Sequence, residues 1–163
     1  MKKSLLPLCG ILILGLSFSA CKKDKKEDPK PKTKTELLTN KNWKLVASTV
    51  DPAFPANNTL YTNLFTILRD CYKDNLLRFE TPNVFKYDEG PTKCNATDTQ
   101  THTGTWTFNL DETKITTTFT SGGNTSSTTY DVLELSDGTL KVSYIDQLGT
   151  TTNFVVTDTY SKQ

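Results

Sequence analysis

Residues 75–88 read NLLRFETPNVFKYD, and this stretch decides the fold. Two runs that mix apolar and polar residues flank Thr81-Pro82-Asn83, a three-residue turn signal. Closing an antiparallel hairpin across that turn sets Phe79 opposite Phe85 and Leu77 opposite Tyr87. The result is a two-stranded ribbon with one apolar face and one polar face. Such a face needs more strands, or a second layer, to cover it.

The same alternation continues toward the C-terminus. Residues 103–110, TGTWTFNL, put Trp106, Phe108 and Leu110 inward and Thr105, Thr107 and Asn109 outward. Residues 114–120, KITTTFT, follow after a turn at Asp111-Glu112, with Ile115, Thr117 and Phe119 on one side. SGGN (121–124) turns the chain into TTYDVLEL (128–135). Asp137-Gly138 then predicts a type I′ hairpin pairing Leu135 with Leu140 and Leu133 with Val142. DQLGTT (146–151) leads into a last strand, TNFVVTDTY.

Toward the N-terminus, TELLTNKNW (35–43) suggests a short helical turn capped by Thr35. WKLVASTV (43–50) predicts a first strand with Trp43, Leu45 and Ala47 on one face. DPAFPANN (51–58) reads as a loop, and LYTNLFTIL (60–68) as a second short helix with Leu60, Leu64 and Leu68 along one stripe. About eight short strands at regular spacing argue an all-β barrel or sandwich; in sequential hairpin order they close most simply into an antiparallel up-and-down barrel of eight strands, with one or two short helices. A barrel of that size is wide enough to be filled by side chains or to hold one small ligand.

Composition agrees. The 163 residues include 35% hydrophobic ones, and threonine, a β-branched residue that suits the wet face of a strand, is abundant. Basic and acidic residues nearly cancel, 19 against 18, yet they are segregated. Residues 22–34 carry seven lysines and three acids, whereas residues 35–163 carry ten basic and fifteen acidic side chains. An acidic body offers no electrostatic reason to expect nucleic acid as a partner.

The first 20 residues have a basic start at Lys2 and Lys3, the apolar run LLPLCGILILGLSF, and Ser19-Ala20. That is the layout of a secretory signal peptide, cleaved in the mature protein, with an uncleaved anchor helix as the alternative. FSAC (18–21) resembles a bacterial lipobox of the Bacteroidota type. The resemblance implies that Cys21 is acylated, so that its acyl chains join the protein to a membrane. It places the protein in the bacterial cell envelope, lipid-anchored to the outer membrane on its periplasmic or cell-surface face. Residues 21–34, with KKDKKEDPKPK after the cysteine, read as a disordered polar tether, and residues 35–163 as the folded domain.

Two cysteines remain in the body. Folding the hairpin at residues 81–83 brings residue 71 opposite residue 93, so Cys71 and Cys94 come within reach of a bridge, with two unpaired thiols as the alternative. The order LLTNKNWKLV, CYKDNLLRF, VFKYDEGPTKC and GTWTFNLDETKI resembles the lipocalin-like domain of Bacteroidota lipoproteins over roughly residues 35–160. The resemblance implies a calycin-type barrel with a Cys71–Cys94 disulfide.

Catalytic chemistry is hard to assemble from these residues. His102 is the sole histidine and lies in TDTQTHTGTW without obvious helpers. Asp88-Glu89 and Asp111-Glu112 sit at turns, where acids favour exposure. Asp70, Lys73 and Asp74 read as residues of a helix-to-strand turn, and no phosphate-cradling glycine loop or metal-ligand spacing appears. No enzyme activity and no cofactor is therefore expected. Trp43, Phe79, Phe85, Trp106, Phe108 and Phe119 fall on inward faces and are the candidate lining of an apolar cavity. The leading expectation is a membrane-anchored, non-enzymatic binder of a small apolar molecule or a glycan. The alternative is a filled barrel presenting loops 51–58 or 93–103 to a protein partner.

Overall fold

The hairpin around Thr81–Asn83 forms in the predicted register, with Leu77 opposite Tyr87 and Phe79 opposite Phe85. It belongs to a computed structural model that describes residues 30–121 and 123–163. The expected signal peptide, Cys21 and most of the tether lie outside those residues.

The compact body runs from Pro31 to Gln163. Helix α1 spans Lys34–Leu38, followed by β1 (Asn42–Ala56) and β2 (Thr59–Asn63). A 3-10 turn, Leu64–Thr66, leads to helix α2 (Asp70–Lys73). Then come β3 (Leu76–Glu80), β4 (Val84–Asp88), β5 (Thr101–Phe108), β6 (Lys114–Ser121), β7 (Asn124–Leu135), β8 (Thr139–Asp146) and β9 (Phe154–Lys162). Strands β3 to β9 pair in chain order, and β1 pairs with both β3 and β9. The sheet thereby closes into an eight-stranded antiparallel barrel, which removes the edges an open sheet would expose. Strand β2 is an extra, ninth strand on β1.

That extra strand corrects two expectations. Residues 51–58 are not a loop: β1 runs through them to Ala56, and Asn57 and Asn58, with φ of 48° and 60°, turn it into β2. Two consecutive left-handed residues make the tight turn a two-residue hairpin needs, and asparagine tolerates that conformation. Residues 60–68 are accordingly not one helix, and Leu60 is 71% exposed on β2.

Two bulges correct the strand faces. A register shift between Leu45 and Ala47 leaves Ala47 exposed and turns Ser48 and Val50 inward. A second shift, between Val132 and Glu134, sets Val132 opposite Val142 and leaves Leu133 exposed. Leu110 lies beyond the end of β5 and is fully exposed. The β7–β8 loop spans Asp137-Gly138 as predicted but is not type I′: Ser136 N–H donates to Thr139 O at 2.9 Å, and neither Asp137 nor Gly138 is left-handed.

Helix α1 is capped by Thr33, not Thr35. The Thr33 hydroxyl accepts from Glu36 N–H, and the Glu36 carboxylate accepts from Thr33 N–H at 2.7 Å, a reciprocal capping box. On the outer face of β6 and β7, hydroxyls pair across the strands: Thr116 with Thr129, Thr118 with Ser127 and Thr120 with Thr125, at 2.8–3.1 Å. These hydroxyl residues thus lie on the solvated side of the barrel.

Candidate functional site

One end of the barrel is plugged. Leu38 at the end of α1 and Trp43 on β1 are fully buried, and the Trp43 indole donates to Leu38 O at 2.9 Å. Trp106 donates to Glu80 O at 3.0 Å, and its ring meets Phe79 and Phe108 edge-on at 5.8 and 5.5 Å. Both indoles are held at one end because their N–H groups find carbonyls there, as buried indoles require.

Above this plug the packing leaves a cavity of about 170 Å³. Its walls come from β3, β4, β6, β7, β8 and β9, and none of its eleven lining residues is charged. Of the six residues expected to line it, Phe79, Phe85 and Phe119 do so. Trp43, Trp106 and Phe108 do not border it; they belong to the packed core beneath, because inward-facing residues nearest α1 are covered by Leu38. The walls also include Tyr87, Tyr130, Leu140, Val142 and Tyr160. Their inward parity was the signal available in the sequence.

Two further clefts adjoin this cavity. A lateral one of about 290 Å³ lies between β1 and β3, bounded by Leu45, Leu68, Tyr72, Asn75, Leu77, Tyr87 and Tyr160. It exists because β1 pairs with β3 only from Asn42 to Lys44, while its other edge stays paired with β9 from Trp43 to Asp51. The other, about 500 Å³, opens at the barrel mouth among Tyr87, Thr101, His102, Thr103, Phe119 and Thr120.

Tyr87 borders all three spaces. Its hydroxyl hydrogen-bonds the side chain of Asn75, which is 6% exposed. With its carbonyl oxygen toward Tyr87, the Asn75 amide donates to Cys71 O at 2.9 Å and to Glu89 O at 2.8 Å. Cys71 is bridged to Cys94, with Cα atoms 5.2 Å apart, as the sequence predicted. Burial, and then the nearby Glu89 carboxylate, push the Tyr87 phenol above its ordinary value, so it stays a hydroxyl donor.

A second polar cluster lies inside the barrel. Asp158, 6% exposed, faces inward on β9, where Tyr144 and Tyr160 each donate to its Oδ2 at 3.2 Å. Oδ1 has no protein partner. Burial pushes the Asp158 carboxyl up, against the opposing effect of hydrogen bonds from Ser48, Tyr160 and Tyr144. Tyr130 stands edge-on to Tyr144 with ring centroids 5.2 Å apart.

The remaining candidates are structural or dispersed. His102 lies on β5, opposite Tyr87, exposed at the mouth and not in a loop. Glu89 is buried, contrary to expectation: Gly90, with φ +67°, packs against Asp74 O and folds the loop over it. Asp88 accepts from the Thr101 hydroxyl above all, then from Gly90 N–H and Gln100, which holds its carboxyl below the usual range. Asp70 pairs with Lys73 at 2.9 Å, and Asp74 accepts from Thr92 N–H at 3.0 Å. Among the described residues no group of three or more His, Cys, Asp or Glu is arranged to hold a metal ion, and no helix is long and apolar enough to cross a membrane.

A closed eight-stranded barrel with a plugged end and an interior cavity defines the calycin-like class of all-β proteins. The lipocalin-like domain family matches residues 39–142, more than half of the chain, and the protein belongs to that family. No curated protein matches it.

Proposed function

We propose that this protein is a non-enzymatic binder of a small, neutral, mainly apolar molecule, held in the barrel and carried on a lipid anchor at Cys21 in the bacterial cell envelope. The observation that carries the reading is the uncharged lining of the interior cavity. A charged ligand group placed there would be desolvated without a counter-charge, at a cost of several kcal/mol. A glycan would fare badly for a similar reason, since few polar atoms line the cavity to replace its water. An apolar cavity of about 150 Å³ is enough to take a benzene-sized molecule.

The test is native mass spectrometry of the protein purified from a bacterial envelope fraction, followed by titration with a one-ring apolar probe such as toluene. Co-purification of a small neutral molecule, or saturable toluene binding, is the expected result. An empty protein that does not bind toluene overturns the reading. The anchor is tested separately: Cys21→Ser should release the protein from membranes, and continued membrane association would sink the lipidation.

A further inference from the structure

We infer that Tyr87 is the specificity-determining residue of the interior, a partition that confines ligands to the one-ring size class. The inference rests on the reading of the barrel as a binder. Tyr87 is the one residue that borders the inner cavity, the lateral cleft and the mouth; Leu77 and Tyr160 stand with it between the first two, and Phe119 between the first and the third. With the ring in place, the inner space is about 170 Å³, which suits a single ring and no more. The lateral cleft beyond it is nearly all apolar, walled by Leu45, Leu68, Leu77 and three tyrosine rings. An elongated apolar molecule would fit the two spaces together once Tyr87 left its position.

What keeps Tyr87 there is a tether. Its hydroxyl is bound to Asn75, whose amide spans the carbonyls of Cys71 and Glu89. Asn75 follows α2 directly, and α2 is pinned by the Cys71–Cys94 bridge. Swinging the ring away would leave the buried Asn75 oxygen without its donor, a loss that resists the motion. The partition is therefore set by a covalently braced network and not by loose packing alone. The lateral cleft in turn owes its existence to the short β1–β3 pairing, so a change at this one ring alters the size of molecule admitted.

The experiment compares toluene with dodecan-1-ol, both neutral, by calorimetric titration of the oxidised protein and two variants. Tyr87→Ala joins the spaces. Leu140→Ala enlarges the inner cavity alone, since Leu140 borders neither cleft. The wild type should bind toluene and take up dodecanol at least tenfold more weakly. Tyr87→Ala should gain at least tenfold for dodecanol, and Leu140→Ala should not. A folded Tyr87→Ala protein without that gain, or an equal gain in Leu140→Ala, overturns the partition while leaving the binder reading intact. If wild type and Leu140→Ala bind no toluene but Tyr87→Ala binds dodecanol, the partition stands and the binder reading falls. If none of the three proteins binds either probe, both fall. Should Tyr87→Ala fail to fold, Tyr87→Phe keeps the ring and removes only the tether. It should gain several-fold for dodecanol, and no gain overturns the inference.

Discussion

The indole of Trp43 reaches across the floor of the barrel and donates to the last carbonyl of α1, at Leu38, over 2.9 Å. Both residues are fully buried, and with Lys34 Nζ on Glu112 O and Asn40 N–H on Phe79 O this bond holds the helix as the plug of the closed end. Trp43→Phe removes the donor, leaves a buried carbonyl unsatisfied and opens space beside Leu38. Urea unfolding should show a loss of about 1–3 kcal/mol. Trp43→Ala should lose about 3–5 kcal/mol. A Trp43→Phe protein as stable as wild type would show that α1 is not held this way.

The Cys71–Cys94 bridge closes a loop with a sequence separation of 23 residues. Restricting that loop in the unfolded chain contributes about 3 kcal/mol in the chain-entropy account. The double variant Cys71→Ser/Cys94→Ser should lose roughly that much, and dithiothreitol should then leave its stability unchanged. Equal stability under oxidising and reducing conditions in the wild type would contradict this.

Asp158 makes stability depend on pH with an unusual sign. Burial raises its carboxyl in the folded state, so folding favours the protonated form. Its contribution is therefore present below the ordinary carboxylate range and is lost as pH rises from about 4 through the raised value. Asp158→Asn cannot ionise and lacks this slope. Compared with wild type, it should gain relative stability as pH rises above about 4. Parallel stability curves for the two proteins would rule the effect out.

Gly104 on β5 sits where a Cβ would stand 2.2 Å from Thr118 O and 3.0 Å from the Phe119 ring. Gly104→Ala must therefore push β6 away or displace Phe119 from Phe85, which it meets at 5.2 Å. A loss of about 1–3 kcal/mol is expected, read from chemical denaturation. The change should also disturb the Phe119 wall of the cavity.

Asp137 lies in the β7–β8 turn, 2.5 Å from Lys32 Nζ and 3.3 Å from Lys41 Nζ. Lys32 first, then Lys41, holds its carboxyl down at about 2. Titration followed by carboxyl NMR should show Lys32→Ala moving this value up toward the ordinary one, and added salt doing the same in wild type. A value insensitive to both would mean that residue 32 is not docked on the body.

The hairpin at residues 81–83 was legible because its turn length and its alternation agree, and every pair it predicted is formed. The barrel class, the sequential strand order and the disulfide followed from the same local rules. The β1–β2 hairpin was missed because two prolines and two asparagines read as loop, although consecutive asparagines also suit a left-handed turn. The cavity walls were half legible: Phe79, Phe85 and Phe119 border it, while Trp43, Trp106 and Phe108 fill the plugged end.

What the sequence by itself determined is therefore the local alternation of faces, and with it an all-β chain that closes most simply by pairing its strands in order. Two bulges that reverse the faces of β1 and β7 were decided by the closed barrel, because register must be adjusted across neighbours to complete the ring. The tertiary structure alone also decided which inward residues meet packing and which meet space. That depends on α1 covering one end and on β1 parting from β3 after Lys44, both relations between segments distant along the chain.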